Sequence, residues 1–268
     1  MEKKKKKGKI MAFSPDFERS QFLRDIFFAK KEYKLVDDYV IRDGKTHPCA
    51  IVVPGGGYQS VCSFIEGIPF AKRLNALGIS VFIVYYRVGK NAAFPNPQDD
   101  LARAVKEILK RKDEYKVDMN NYSVWGSSAG GHLVASFGTR SMGYEKYGLP
   151  KPGTLVLVYP VISMDKSITH MGSRENLLGK NPPESLVNDT SIELQVTPSF
   201  PRTFIWCGTA DTVVDPENTR RMAAALEEAG VPYQCEIYPE VGHGVGPATG
   251  TNAEGWINKA VDYWLGTK

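Results

Sequence analysis

No apolar run in this 268-residue chain approaches the ~20 residues needed to cross a bilayer, so the sequence carries no membrane-spanning helix. Cysteine is scarce, and Cys49, Cys62, Cys207 and Cys235 show no C-x-x-C spacing. Cys49, Cys207 and Cys235 fall in expected strands and read as buried free thiols. The four histidines lack H-E-x-x-H or comparable ligand spacing, so no metal site is expected. Net positive charge is absent outside the first nine residues. The run Lys3 to Lys7 with Lys9, less Glu2, carries +5 and leaves −1 of the net +4 to everything else. Such a terminal run reads as a solvated, partly disordered segment over 1–30, and no nucleic-acid partner follows from it. Only Ile10 to Phe13 separate the lysines from Ser14-Pro15-Asp16. A secretory leader needs an apolar core of about 7–15 residues, so a cytoplasmic location is expected.

What remains is ordinary for a soluble globular protein, with 42% hydrophobic and 24% charged residues. Apolar, β-branched runs predict strands at 34–41, 49–53, 80–86, 122–125, 154–159, 203–207 and 233–238. Several, such as "CAIVV", "VFIVYY" and "LVLVY", are nearly continuous, as expected when helices cover both faces of a sheet. Helical patterns lie between them. One runs over 66–77 and stops at Gly78. "NPQDDLARAVKEILKRK" opens with Pro97, places Asp99 and Asp100 in its first turn, and aligns Leu101, Val105, Ile108 and Leu109 on one face. A third starts at Asp215-Pro216-Glu217 and ends before Gly230 and Pro232. The last covers 252–265. This alternation predicts an α/β fold over 31–268, with a mainly parallel sheet, helices on both faces and working residues in loops beyond the strands' C-terminal ends. The stretch 163–201, rich in Asn, Pro, Ser and Gly, is too long for a simple connection; it reads as an insertion near the site or a surface excursion.

Gly126-Ser127-Ser128-Ala129-Gly130 fits G-x-S-x-G, between a strand and a helix, and gives Ser128 the nucleophile position. Small neighbours are needed because a serine on so sharp a turn sits in strained backbone, and larger side chains would clash. The turn also places Ser128 at a helix N-terminus, where N–H groups and the dipole favour a developing anion. In "AIVVPGGGYQS", Gly55, Gly56 and Gly57 directly follow a strand. A phosphate cradle, a plain turn and an oxyanion-hole loop all use such glycines; G-x-G-x-x-G and the Walker pattern are absent, and beside G-x-S-x-G the oxyanion reading leads. Asp211 follows the strand "TFIWC", and His243 lies in a glycine-rich loop after "YQCEIY". The order Ser128, Asp211, His243 is that of an α/β-hydrolase triad.

Rival residues have plainer readings. Asp215 before Pro-Glu is a helix cap, and Ser127 is the spacer of the motif. His132 is a packed or hydrogen-bonded structural histidine. His47 and His170 lack a glycine-loop context and read as surface residues. Trp125, Trp206, Trp256 and Trp264 read as packing rather than sugar platforms.

Taken together, "VPGGGY", "YYRV", "PQDDLARAV", "GSSAGGHL", "GTADTVV" and "VGHGVG" resemble α/β-hydrolases of the acetyl-xylan-esterase-like and broader carbohydrate-esterase type, more distantly the hormone-sensitive-lipase-like esterases. The resemblance extends over about 33–265. Lipase-like relatives carry His-Gly-Gly-Gly, whereas Pro54 precedes the glycines here, and proline has no side-chain hydrogen bond with which to brace the loop. The resemblance implies oxyanion-hole N–H groups from Gly56, Gly57 and Ala129. It also implies a serine esterase that needs no cofactor and acts on short acyl esters, acetyl first, of small molecules, sugars or oligosaccharides. An amidase, peptidase or arylformamidase-like activity is the enzymatic alternative, and a hydrolase fold kept for binding is the non-enzymatic one. A homo-oligomer is compatible with all three.

Overall fold

The computed structural model describes residues 35–266. The expectation for the lysine-rich segment 1–30 lies outside them, as does Lys34 of the first predicted strand. Each of the seven expected strands forms: β1 (Val36–Tyr39), β2 (His47–Val53), β3 (Ser80–Val84), β4 (Val117–Ser127), β5 (Thr154–Val158), β6 (Thr203–Gly208) and β7 (Tyr233–Tyr238). They build one sheet in the order β1-β3-β2-β4-β5-β6-β7, parallel throughout except for β1, which pairs antiparallel with β3.

Alternation within the apolar runs sends side chains into two cores, one on each face. Cys49, Ile51 and Val53 of β2, Phe82 and Val84 of β3, and Leu155 and Leu157 of β5 enter the first. Ala50 and Val52, Val81 and Ile83, and Val156 and Val158 enter the second.

Nine α-helices are formed among the described residues: α1 (Ser63–Glu66), α2 (Ile68–Ala76), α3 (Asn96–Lys110), α4 (Lys112–Tyr115), α5 (Ser128–Phe137), α6 (Met171–Leu178), α7 (Glu184–Thr190), α8 (Glu217–Glu228) and α9 (Trp256–Leu265). The first core packs under α3, α5 and α8 through Leu101, Val105, Leu133, Phe137, Met222 and Leu226. The second packs under α2 and α9 through Phe70, Leu74, Trp256 and Trp264. Phe70, Trp125 and Trp206 surround Trp256 at ring-centroid distances of 5.2, 5.9 and 5.3 Å. Such pairs add about 0.5–1.5 kcal/mol each beyond their area burial. With all four tryptophans at most 2% exposed, they are core residues rather than sugar platforms.

The departures from expectation have local causes. The single helix expected over 66–77 is two, broken at Gly67 ahead of Pro69, whose ring cannot continue a preceding turn. β4 begins at Val117, hidden in the sequence by the polar pair Asn120-Asn121. The last helix begins at Trp256 rather than at 252, because Gly255 has φ +88° and interrupts the right-handed path. Asp99 stays in the first turn of α3, but Asp100 turns inward, 2% exposed, and accepts from the N–H and Nε of Arg87, both at 2.8 Å. Cys49 and Cys207 are buried and Cys235 half-buried, all as free thiols. The stretch 163–201 holds α6 and α7, neither of which its polar composition had suggested.

Candidate active site

Parallel strands deliver their following loops to one edge of the sheet. Val53 pairs with Gly126, Ser127 with Val158, and Gly208 with Tyr238, so β2, β4, β5, β6 and β7 end nearly level. The chain leaves β4 through Ser127 in extended conformation and turns at Ser128, whose φ is +53°. Bulky residues avoid that region, and the surrounding packing must enforce it. A Cβ on Gly130 would collide with the carbonyl oxygens of Val53 and Pro54, and one on Gly126 with the carbonyl oxygen of Gly130. The small residues of the motif thus let strand, turn and helix pass at backbone contact.

The residues expected to act together are brought together. His243 Nε2 lies 2.9 Å from Ser128 Oγ, and His243 Nδ1 lies 2.7 Å from Asp211 Oδ2. A carboxylate only accepts, so the proton sits on Nδ1 and Nε2 is free to accept from the serine hydroxyl. The other carboxylate oxygen of Asp211 accepts from the N–H groups of Val213 and Val214, at 3.0 and 2.9 Å. Asp211 is therefore locked by its own loop while it orients the imidazole. Asp215 behaves as a cap, its Oδ1 accepting from the N–H of Glu217 at 2.9 Å.

Facing Ser128 is the loop after β2. Among the described residues the N–H groups of Gly56 and Gly57 donate to no protein acceptor. Ala129 lies in the first turn of α5, where N–H groups have no partner within the helix. Gly56 has φ +125°, and a Cβ there would strike the carbonyl oxygen of Ser60. Although Pro54 has no side chain with which to brace the loop, bracing exists. Tyr86 O–H donates to the Pro54 carbonyl at 2.7 Å, and the N–H of Gly55 donates to Glu66 Oε2 at 2.7 Å. "YYRV" and "PQDDLARAV" thereby gain a physical meaning, since Tyr86 holds the glycine loop and the adjacent Arg87 is pinned to Asp100 of α3.

His132 is structural, as expected. It is fully buried; its Nδ1 accepts from Tyr58 O–H and its Nε2 donates to the carbonyl of Thr190, both at 2.8 Å. Burial pushes its pKa down to about 4. Two histidine expectations need correction. His47 is half-buried at the start of β2, with Nε2 2.8 Å from Asp43 Oδ1 and Nδ1 3.0 Å from the Gly78 carbonyl. His170 is not a plain surface residue either. It caps α6, accepting from the N–H of Ser173 at 3.2 Å, and its Cε1 lies 3.5 Å from where a Cβ of Gly57 would stand. Burial first, then the proximity of the His243 ring, hold its pKa below the ordinary histidine value.

Sequence reasoning also missed Asn176, whose Nδ2 donates to the Gly57 carbonyl at 2.9 Å and which lines a recess of about 450 Å³ with Gln59, Lys90, Phe94, Glu175 and Leu186. A larger recess, about 570 Å³, opens around His47 and Asp118 at the opposite edge of the sheet. Among the described residues no cluster of three His, Cys, Asp or Glu side chains is placed to hold a metal, and no helix is long and apolar enough to cross a membrane.

Comparison with known proteins gives a consistent relationship. The chain is 30% identical over 217 residues to an acetylxylan esterase of Xylanibacter ruminicola, covering 80% of this chain and 44% of that protein. It is 32% identical over 227 residues to endo-1,4-β-xylanase B of Butyrivibrio fibrisolvens, covering 81% of this chain and 35% of that one. The chain thus spans less than half the length of either relative. Among solved structures it superposes on an acetyl ester-xyloside bifunctional hydrolase from Caldicellulosiruptor lactoaceticus with a TM-score of 0.79 and 32% identity, covering 91% and 92% of the two chains. Residues 52–246 match a family model described as the alpha/beta hydrolase fold. With the sheet order, the turn at Ser128 and the order of the site residues, this match makes the chain a member of the α/β-hydrolase family.

Proposed function

We propose that this chain is a serine carboxylesterase that hydrolyses short acyl esters, acetyl first, carried by sugars or oligosaccharides. One observation carries the chemistry: the unbroken line from Ser128 Oγ through His243 to Asp211, beside a loop in which the N–H groups of Gly56 and Gly57 are unengaged. Ser128 Oγ attacks the ester carbonyl carbon while its proton passes to His243 Nε2. The carbonyl oxygen becomes an oxyanion held by the N–H groups of Ala129 and of Gly56 or Gly57, each such donor contributing about 10²–10³ in kcat. The imidazolium protonates the departing alcohol and leaves an acyl-serine. Water then gives a proton to His243, adds to the acyl carbon and releases the acid, returning the proton to Ser128.

The acyl-sugar assignment rests on the relationship to the acetylxylan esterase and to the acetyl ester-xyloside hydrolase. A recess next to Gly57 through Asn176 sets Gln59, Lys90 and Glu175 beside the apolar wall of Phe94 and Leu186, but none of Ser128, Asp211 and His243 lines it, so the assignment stands on the relationship alone. A panel of p-nitrophenyl esters tests the acyl preference. The expected outcome is highest kcat/KM for acetate with a steady fall on lengthening; a maximum at C8 or beyond would rule out the short-acyl assignment.

A further inference from the structure

Beneath the site lies a buried carboxylate that ester cleavage does not use. Glu66, at the end of α1, is 4% exposed, and among the described residues no lysine or arginine pairs with it. A carboxylate withdrawn from water needs hydrogen bonds in compensation, and those of Glu66 lead in two directions. Oε2 accepts from the N–H of Gly55 at 2.7 Å, at the root of the oxyanion loop. Oε1 accepts from Tyr159 O–H at 2.8 Å, and the Tyr159 oxygen accepts in turn from the N–H of Gly246 at 3.2 Å, in the loop that carries His243.

Tyr159 has a second contact with that loop. Its ring meets the His243 imidazole edge-on, with centroids 4.8 Å apart and planes at 62°. It follows β5 directly and adopts φ +37°, a conformation that a bulky residue holds only when its surroundings impose it. Burial raises the pKa of Glu66, while the bonds from Tyr159 and Gly55 and the nearby His243 oppose that rise. Space at the junction is fully used, since a Cβ on Gly55 would lie 2.8 Å from Glu66 Oε2 and 2.8 Å from Ser128 Cβ. The Gly55 N–H is committed to Glu66, whereas the N–H groups of Gly56 and Gly57 are unengaged among the described residues.

We propose that Glu66 and Tyr159 are positioning residues forming a strut between the oxyanion loop and the His243 loop. The strut makes the oxyanion donors and His243 Nε2 address the same carbonyl at the same time. It rests on the esterase reading of Ser128. It acts through the backbone of both loops, so its contribution belongs to the transition state more than to the bound ester.

The test compares Glu66→Gln, Tyr159→Phe and the double variant on p-nitrophenyl acetate, with Ser128→Ala as the control. Glu66→Gln keeps an acceptor for Gly55 but turns its NH₂ toward Tyr159, so the tyrosine O–H loses its acceptor with little change in shape; Tyr159→Phe removes the hydroxyl itself, and both variants break the same link. Misplacement of catalytic groups by about 1 Å costs up to ~10² in rate. Each single variant is therefore expected to lose about 10–100-fold in kcat, with KM within about threefold of wild type. The double variant is expected to fall little below the weaker single, because both break one chain of bonds. Affinity for phenylboronic acid, which adds reversibly to a serine hydroxyl as a tetrahedral anion, is expected to fall in proportion to kcat.

Thermal unfolding, read in parallel, separates this role from simple packing. A lower Tm with kcat and boronate affinity unchanged would overturn the inference, as would two losses that multiply in the double variant. If Glu66→Gln does not fold, Tyr159→Phe decides the matter alone by the same kcat and boronate criteria. Activity surviving in Ser128→Ala would refute the esterase reading itself, whereas an inactive Ser128→Ala beside wild-type-like strut variants would refute only the strut.

Discussion

Asp211 illustrates how much a single side chain can fix through hydrogen-bond counting. One of its oxygens takes the N–H groups of Val213 and Val214, and the other faces His243 Nδ1. In Asp211→Asn the two backbone N–H groups would claim the amide oxygen and turn the NH₂ toward His243. Nδ1 would then have to accept, the ring proton would move to Nε2, and Ser128 would face a donor instead of a base. The expected outcome is a fall of about 10⁴ in kcat on p-nitrophenyl acetate with KM little changed; a loss below tenfold would contradict the assigned tautomer. Asp211 and His243 were legible because each lies in the short loop that follows a predicted strand. Glu66 and Tyr159 were not. A lone Glu in "SFIEGIPF" reads as the solvent-facing start of a helix, and the Tyr of "LVLVYP" as the end of a strand. Their meaning lies in bonds between segments 93 residues apart. The only sequence hint is a charge set inside an apolar stretch.

Among the elements, α5, which begins at Ser128, is tied on both sides through His132. From α5 its ring joins Tyr58, which follows Gly55-Gly56-Gly57, to Thr190 at the end of α7. This junction requires a neutral ring, since Nδ1 must accept from Tyr58. The folded pKa, about 4, lies below the ordinary histidine value of 6.5. Between these values the unfolded chain binds the proton and the folded one does not. The neutral ring's contribution is thus fully present above pH 6.5 and is lost as pH falls toward 4, at a rate approaching about 1.4 kcal/mol per pH unit. Urea unfolding at pH 7 and pH 5 is expected to show a drop in stability that shrinks in His132→Gln, although the variant is less stable overall. An equal drop in both proteins would show that His132 titrates as it does when unfolded. The strands around this junction were readable from their apolar runs and small turn residues. α6 and α7 were not, since most of the side chains they bury are polar (Ser173, Arg174 and Thr190) and no apolar stripe marks either helix. Their placement depends on His170, Asn176 and Thr190 meeting other segments.

At the scale of the molecule, a parallel sheet converts sequence order into spatial coincidence. Ser128 and His243 are 115 residues apart, yet β4 and β7 end at the same edge and their loops meet at 2.9 Å. That is why the site was largely readable from one sequence: strand, then glycine or small residues, then a chemically competent side chain, repeated around the same edge. The identity of the ester is written less plainly. Gln59, Lys90 and Glu175 line the recess beside Asn176 and carry no motif from which an ester could be read. The most direct test of the central claim is acetate release from acetylated xylo-oligosaccharides by the wild-type chain and by Ser128→Ala. The wild type is expected to release acetate, and the variant to fall by about 10⁶, to the uncatalysed background. Equal release by the two proteins, or none by the wild type, would contradict the assignment.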